Sequence, residues 1–191
     1  MYLRSIIAAT LATSVIAQTQ DAPEITASFK EHVYEAKLPK NPFFEKGSLV
    51  GNIDGSIRAQ SAADGKGVDF TVSFSNLPEE GGPFLYHIHN AAVPSDGNCT
   101  ATLSHLDPFN RGEKPPCNPS AAQTCQIGDL SGKHGKVTQD PFEEEYNDPF
   151  VSLSANDEQF IGNKSIVLHF GNRTRITCAN FVKEGVADTG L

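Results

Sequence analysis

The chain has 191 residues, a formal charge of −8 and a mean hydropathy of −0.31, so it is long enough for one domain with its own hydrophobic core. The acidic balance disfavours nucleic acid and anionic membranes as partners, and we expect neither.

Residues 1–17 have the pattern of a secretory signal peptide. Arg4 precedes an apolar stretch that ends in the small-residue sequence Val-Ile-Ala. Thr and Ser interrupt this stretch, which is too short to span a membrane, so we expect no membrane insertion. The alternative, an amphipathic N-terminal helix, is disfavoured because no acidic residue occurs before Asp21. Removal of residues 1–17 takes away one basic side chain and no acidic one, which changes the formal charge of −8 to −9.

The remaining residues, 18–191, are expected to form a single domain in which strands predominate. In residues 68–75 apolar and polar side chains alternate strictly, which is typical of a half-buried strand. Residues 49–60, 84–89, 152–161, 165–170 and 176–182 have similar character, and residues 63–67, 79–83 and 162–163 carry turn signals. Residues 143–145 are three glutamates, which we interpret as a solvated charge run in a turn. Seven or eight short strands predict an all-β sandwich or Greek-key barrel.

A long segment, residues 90–128, interrupts the alternation and contains three of the four cysteines. An even number of cysteines behind a signal peptide suggests two disulfides, and three pairings are possible. A local bridge between Cys117 and Cys125 would leave Cys99 to pair with Cys178. We therefore expect a functional loop that disulfides hold in place.

Three glycosylation sequons agree with export from the cell, although such sequons also occur by chance. They begin at Asn98, Asn163 and Asn172.

Four histidines are candidate metal ligands. His87 and His89 are two residues apart on a predicted strand, so both side chains point to one face. His105 lies in the long loop, and His169 ends another strand. Imidazole suits copper, zinc and iron, and copper(II) binds most tightly in the divalent series. Each histidine taken alone is more simply read as an exposed or hydrogen-bonded side chain, and His32 and His134 have no obvious companions.

The order of these residues resembles the copper–zinc superoxide dismutase family. The resemblance extends over about residues 48–182 and is carried by His87-x-His89, Cys99, His105, Gly128-Asp129-Leu130, Val167-Leu168-His169 and Arg175-Ile176-Thr177-Cys178. It implies an eight-stranded Greek-key barrel and one copper ion bound by His87, His89, His105 and His169. It also implies a Cys99–Cys178 disulfide and an arginine, Arg175, beside the copper.

The sequence departs from the zinc-bearing members of that family. Residues 106–128 contain no histidine, and Gln126 stands where those members have a zinc ligand. Residues 170–174 replace a long charged loop. Zinc prefers four imidazole or anionic ligands, so we expect copper and no zinc. Without the zinc ligands and the long charged loop, the sequence resembles the copper-only, extracellular branch of the family, which is found in fungi. In that branch a glutamate often stands at the position of Gln126, and the shortened loops favour a monomer.

The resemblance implies an enzyme that converts superoxide to O₂ and hydrogen peroxide. Arg175 would attract the anionic substrate, and His105 would act as general acid toward peroxide. Asp129 would orient His105 by a hydrogen bond, directly or through Gln126. The expected location is outside the cell, either free or in the cell wall.

Two other classes of protein compete with this interpretation. A non-catalytic copper-binding protein on the same scaffold would keep the four histidines but would not need Arg175. A structural or adhesion module of the cell wall would bind no stoichiometric copper.

Overall fold

The computed structural model describes residues 20–26, 32–44 and 50–185. The predicted signal peptide, residues 1–17, and the ends of the predicted domain therefore lie outside the described residues.

The described residues form two antiparallel sheets, as the alternating sequence predicted. The strands are β1 (Val33–Lys37), β2 (Asp54–Ser61), β3 (Val68–Ser75), β4 (Leu85–His89), β5 (Phe142–Asp148), β6 (Ser165–His169), β7 (Arg175–Asn180) and β8 (Val182–Lys183). One sheet has the order β5-β3-β2-β1-β8 and the other has the order β4-β6-β7. The prediction of an all-β sandwich is confirmed, and the chain changes sheet between β7 and β8.

The hydrophobic core lies between the two sheets. In β3 the apolar residues of the alternating pattern are all buried, and they are Val68, Phe70, Val72 and Phe74. The second sheet contributes Tyr86 and Ile88 from β4 and Ile166 and Leu168 from β6. Each fully buried large side chain stabilises the fold by roughly 2 kcal/mol relative to its exposed state. On the opposite face of β6, Val167 packs against Cys99 and Cys178 in a separate small cluster.

Two parts of the strand prediction are wrong. The glutamates of residues 143–145 do not lie in a turn but in β5, which is an edge strand of the larger sheet. A charged edge strand resists pairing with other chains, so the charge run is compatible with a strand. Residues 152–161 do not form a strand, and their ladder is limited to an isolated bridge between Ser152 and Phe160. Strand β1 was not predicted.

The predicted strand over residues 49–60 begins only at Asp54. Gly55 has a φ of 141°, and a Cβ there would lie 1.9 Å from the backbone oxygen of Ser73. Only glycine permits this close approach of β2 to β3.

Helical structure in the described residues is short. Two 3₁₀ helices, Cys99–Thr102 and Pro119–Thr124, lie in the predicted long loop, and helix α1 (Leu130–His134) follows it. Over the described ranges, no helix has the length and apolar character needed to cross a bilayer.

Candidate metal centre

The first two candidate ligands lie on strand β4 and face away from the core. Tyr86 and Ile88 point into the core between the sheets, so His87 and His89 point to the other face of β4. His169 ends β6, the neighbouring strand, where it is paired with Leu85. Strand pairing thus brings three histidines onto one surface.

The fourth candidate, His105, reaches the same surface because the chain returns alongside β4. The backbone nitrogen of Leu106 donates to the oxygen of Ile88 at 2.8 Å, and the nitrogen of Ile88 donates to the oxygen of Gly128 at 2.9 Å. A Cβ on residue 128 would lie 2.1 Å from the oxygen of Ile88. Gly128 therefore allows the two ends of the long loop to close beside the histidine strand.

The four imidazoles converge. One potential ligand atom from each of His87, His89, His105 and His169 lies within 4.8 Å of the other three. Nε2 of His89 and Nε2 of His169 are 3.2 Å apart. Within the described ranges, this is the only group of three or more histidine, cysteine, aspartate or glutamate side chains close enough to share an ion.

In three of these rings the nitrogen Nδ1 contacts another protein group. Nδ1 of His89 donates to the backbone oxygen of Leu103 at 2.9 Å, and Nδ1 of His169 donates to that of Arg173 at 3.0 Å. Nδ1 of His105 lies 2.7 Å from Oε1 of Gln126. These contacts fix the rings so that Nε2 is the nitrogen left for a ligand.

His87 has the opposite arrangement. Its Nε2 lies 3.1 Å from Oγ of Ser131 and 3.4 Å from Oδ1 of Asp129. Its Nδ1 is buried and has no hydrogen-bond partner among the described residues. A buried polar atom without a partner is costly, and an ion bound between the four rings would provide that partner. The donor set therefore fits a metal that prefers nitrogen ligands.

Burial and mutual proximity keep the rings of His89, His105 and His169 neutral. Burial, together with the neighbouring His105 and His169, lowers the pKa of His89 to about 2. Burial and the neighbouring His87 lower the pKa of His169 to about 3 and also lower the pKa of His105. A neutral imidazole is the form that binds a metal ion, so the site is ready for one at neutral pH.

Asp129 lies against His87 rather than against His105, which differs from the expectation. Its Oδ1 accepts from the backbone nitrogen of Gly132 at 2.8 Å, and so it caps helix α1. Burial by itself raises the pKa of Asp129, but His87, the backbone nitrogen of Gly132 and His105 together lower it more, and the net pKa is below the ordinary value. Gln126, by contrast, contacts His105 as expected.

Arg175 lines the same cavity as the four histidines. This cavity has a volume of about 660 Å³ and is also lined by Glu113, Lys136 and Arg173. The guanidinium of Arg175 donates to the backbone oxygens of Cys99 and Leu103. The cysteines lie in two bridges, Cys99–Cys178 and Cys117–Cys125, with Cα–Cα distances of 5.7 Å and 4.9 Å.

The residues that the sequence analysis singled out elsewhere lie apart from this cavity. The three sequon residues Asn98, Asn163 and Asn172 are exposed. Nε2 of His134 lies 2.9 Å from Oδ2 of the buried Asp148.

Sequence reasoning missed two residues at the site, one that touches a histidine and one that touches Gln126. Ser131 follows Asp129 by two residues and touches His87, and Asp107 touches Gln126. The only signal for Asp107 was its position before Pro108, which is typical of a turn.

The fold and the site define a β-sandwich protein with a four-histidine centre for a single metal ion. No family model matches the chain. A cell surface Cu-only superoxide dismutase from Arthroderma benhamiae is 39% identical over 199 aligned residues, which cover 90% of this chain and 52% of that protein. Cell surface Cu-only superoxide dismutase 5 from Candida albicans is 41% identical over 137 residues, which cover 72% of this chain and 58% of that protein.

A solved structure of Candida albicans superoxide dismutase 5 with Cu(II) is similar to the structure described above. The TM-score is 0.68 at 35% identity, and the match covers 84% of this chain and 99% of the other. The chain belongs to the family of copper-only superoxide dismutases. It spans between about half and three-fifths of the length of the curated relatives that it matches.

Proposed function

We propose that this chain is a superoxide dismutase of the cell surface or extracellular space, with one copper ion held by His87, His89, His105 and His169 and with no zinc. The observation that carries the proposal is the convergence of four ring nitrogens within 4.8 Å in an open cavity that also contains Arg175. Bound copper would supply one-electron redox chemistry at a set of nitrogen ligands. In the overall reaction, two superoxide anions and two protons give one O₂ and one hydrogen peroxide.

The proposed role of Arg175 is to bind the anionic substrate beside the metal. The protein carries a formal charge of −8, so it repels superoxide at long range. Arg175 is half-buried and is held by backbone oxygens, and so its charge is fixed at the wall of the cavity. A fixed guanidinium attracts the anion and donates hydrogen bonds to it without reorganisation.

The proposed role of His105 is to deliver a proton to the peroxide product. Of the four rings, His105 is the one that is only half-buried, and it therefore faces the open cavity. Its Nδ1 is occupied by Gln126, so Nε2, the nitrogen that would also hold the copper ion, is the atom that would take up the proton when it is not a ligand and then pass it on.

Zinc has no complete ligand set beside His105. Asp129 turns toward His87 and Gly132, and Gln126 offers a neutral amide oxygen. A tetrahedral zinc site needs four imidazole, thiolate or carboxylate ligands, which this loop does not provide.

The relatives and the pattern of residues 1–17 support an extracellular location. The relatives named above are cell surface proteins, and residues 1–17 have the pattern of a signal peptide. We propose that residues 18–191 form one monomeric domain with disulfides Cys99–Cys178 and Cys117–Cys125. The exposed sequons at Asn98, Asn163 and Asn172 would accept glycans during export.

The decisive experiment is metal analysis of purified protein after it has been offered copper and zinc together, with an assay of superoxide consumption. We expect one copper per chain, negligible zinc and fast turnover that the metal-free protein lacks. One copper without turnover would instead indicate a copper-binding protein. Stoichiometric zinc at a well-ordered site would overturn the proposal.

A further inference from the structure

The side chain of Gln126 joins His105 to the carboxylate of Asp107, a half-buried residue of the long loop. Its Oε1 lies 2.7 Å from Nδ1 of His105, and its Nε2 donates to Oδ2 of Asp107 at 3.0 Å. Gln126 is buried, with 9% of its surface exposed, so water does not readily replace either contact. The amide thus spans the space between an imidazole and a carboxylate.

Asp107 determines which end of this amide faces His105. Oδ1 of Asp107 accepts from the backbone nitrogen of Arg111 at 2.9 Å, and Oδ2 accepts from that of Gly112 at 2.8 Å. An ionised carboxylate accepts hydrogen bonds and donates none. The amide must therefore turn its NH₂ group toward Asp107, because the reverse orientation would place two oxygens in contact.

The orientation of the amide in turn determines where the proton of the neutral His105 ring lies. Because Oε1 of Gln126 only accepts, Nδ1 of His105 must carry the hydrogen. Nε2 is then left with its lone pair, and it is the nitrogen available to the cavity shared with His87, His89 and His169. If Gln126 were reversed, its NH₂ group would donate to Nδ1 and the hydrogen would move to Nε2.

We propose that Asp107 is a positioning residue that acts through Gln126 to hold His105 as the Nδ1–H tautomer, with Nε2 free to bind a metal ion. This proposal extends the proposed function. The effect of the tautomer on copper binding rests on the proposed function, because it assumes that His105 is a copper ligand. The tautomer itself can be measured on the metal-free chain, independently of any activity.

The test is ¹⁵N NMR of the histidine rings in metal-free protein at pH 7.5, where the chemical shifts of Nδ1 and Nε2 show which nitrogen carries the hydrogen. In the unchanged chain we expect His105 to be the Nδ1–H tautomer. In Asp107→Ala the amide is free to reverse, and we expect His105 to become mixed or mainly Nε2–H. The rings of His89 and His169 are internal controls, because backbone oxygens hold their Nδ1 atoms and Asp107 does not touch them.

A rescue variant separates positioning from a general disturbance of the loop. In Asp107→Ala combined with Gln126→Glu, the carboxylate accepts on either oxygen and needs no partner to orient it. We expect this double variant to restore the Nδ1–H tautomer. If Asp107→Ala alters the His89 and His169 signals, the measurement is repeated on Asp107→Ser. Serine can still accept a hydrogen bond from the backbone nitrogens of the turn, but its side chain is too short to reach Gln126.

Copper affinity gives a second readout. Partners behind a ligating histidine typically change metal affinity by about 10- to 100-fold when they are removed. We expect about a tenfold weaker copper affinity in Asp107→Ala and recovery in the double variant. An unchanged Nδ1–H tautomer in Asp107→Ala, or failure of Gln126→Glu to restore it, would overturn the proposal. Absence of superoxide consumption by the copper-loaded chain would overturn the proposed function and leave the tautomer result standing.

Discussion

The guanidinium of Arg175 donates a hydrogen bond to the backbone oxygen of Cys99, the residue that a disulfide joins to Cys178. Cys178 lies three residues after Arg175 on β7, so the disulfide and the guanidinium hold the same loop segment against the same strand. The side chain proposed to bind superoxide is therefore positioned by the long-range disulfide.

Replacement of Arg175 by alanine is expected to lower superoxide turnover by roughly 10- to 100-fold while copper stays bound. The reason is that the variant loses a fixed cationic donor but keeps the four imidazoles. Pulse radiolysis and copper analysis of the same samples measure both quantities. Arg58→Ala is the matched control, because Arg58 lies on β2 and pairs with Glu184 outside the cavity. Turnover close to that of the unchanged protein would refute the assigned role.

The two disulfides are expected to contribute differently to stability. Cys99 and Cys178 are 79 residues apart, whereas Cys117 and Cys125 are 8 residues apart. The larger closed loop restricts the unfolded chain more, so chain entropy predicts losses of about 4.5 and about 2.5 kcal/mol on removal. Urea unfolding of the two double cysteine-to-serine variants measures this difference. Equal losses would show that loop entropy does not control the stability.

A buried ion pair is expected to control acid stability. Asp148 is fully buried and contacts Nζ of Lys133 and Nε2 of His134. Burial alone raises the pKa of Asp148, but Lys133 and His134 lower it, to about 2 from an ordinary 3.8. A carboxyl group with a lowered pKa stabilises the fold above its ordinary pKa, and this stabilisation is lost as pH falls from about 4 toward about 2.

Asp148→Asn removes that pH-dependent contribution, which is about 2 kcal/mol, and leaves Lys133 buried without its anion. We expect the variant to be less stable at pH 7 by about 3 kcal/mol and to lose less stability between pH 4 and pH 2. Glu143→Gln on the exposed part of the same strand is the control. Urea midpoints measured across that pH range give the comparison, and parallel profiles for Asp148→Asn and the unchanged protein would contradict the prediction.

The ion pair between Arg173 and Glu113 is expected to set the charge at the mouth of the cavity. Both side chains line the cavity, and Nη1 of Arg173 contacts Oε2 of Glu113 at 2.5 Å. Glu113→Gln leaves Arg173 without its anion, and so superoxide should associate several-fold faster at low ionic strength, with the gain lost at high salt. Glu145→Gln changes the charge equally on the exposed edge strand β5, away from the cavity. The prediction fails if both variants show the same rate and salt dependence.

The strands that the sequence predicted well have one face in the core and the other in solvent. Residues 68–75 are such a case, because alternation along the chain directly records which face is buried. Residues 143–145 were misassigned because the buried residues of β5, Phe142 and Asp148, lie at its two ends, so the three glutamates between them show no apolar alternation to detect. Residues 152–161 have the composition of a strand, but the isolated bridge that they form joins Ser152 to Phe160 within the segment itself, and none of the described strands pairs with them.

The sequence by itself determined the residue types of the site and the shared face of His87 and His89, because a period of two is a local property of strands. It also determined the family, through motifs in a fixed order. Only the tertiary structure decided that Asp129 turns to His87, that Asp107 stands behind Gln126, and which nitrogen of each ring has a protein partner. Those choices depend on hydrogen bonds between segments far apart in the chain, and such bonds leave no periodic trace in the sequence.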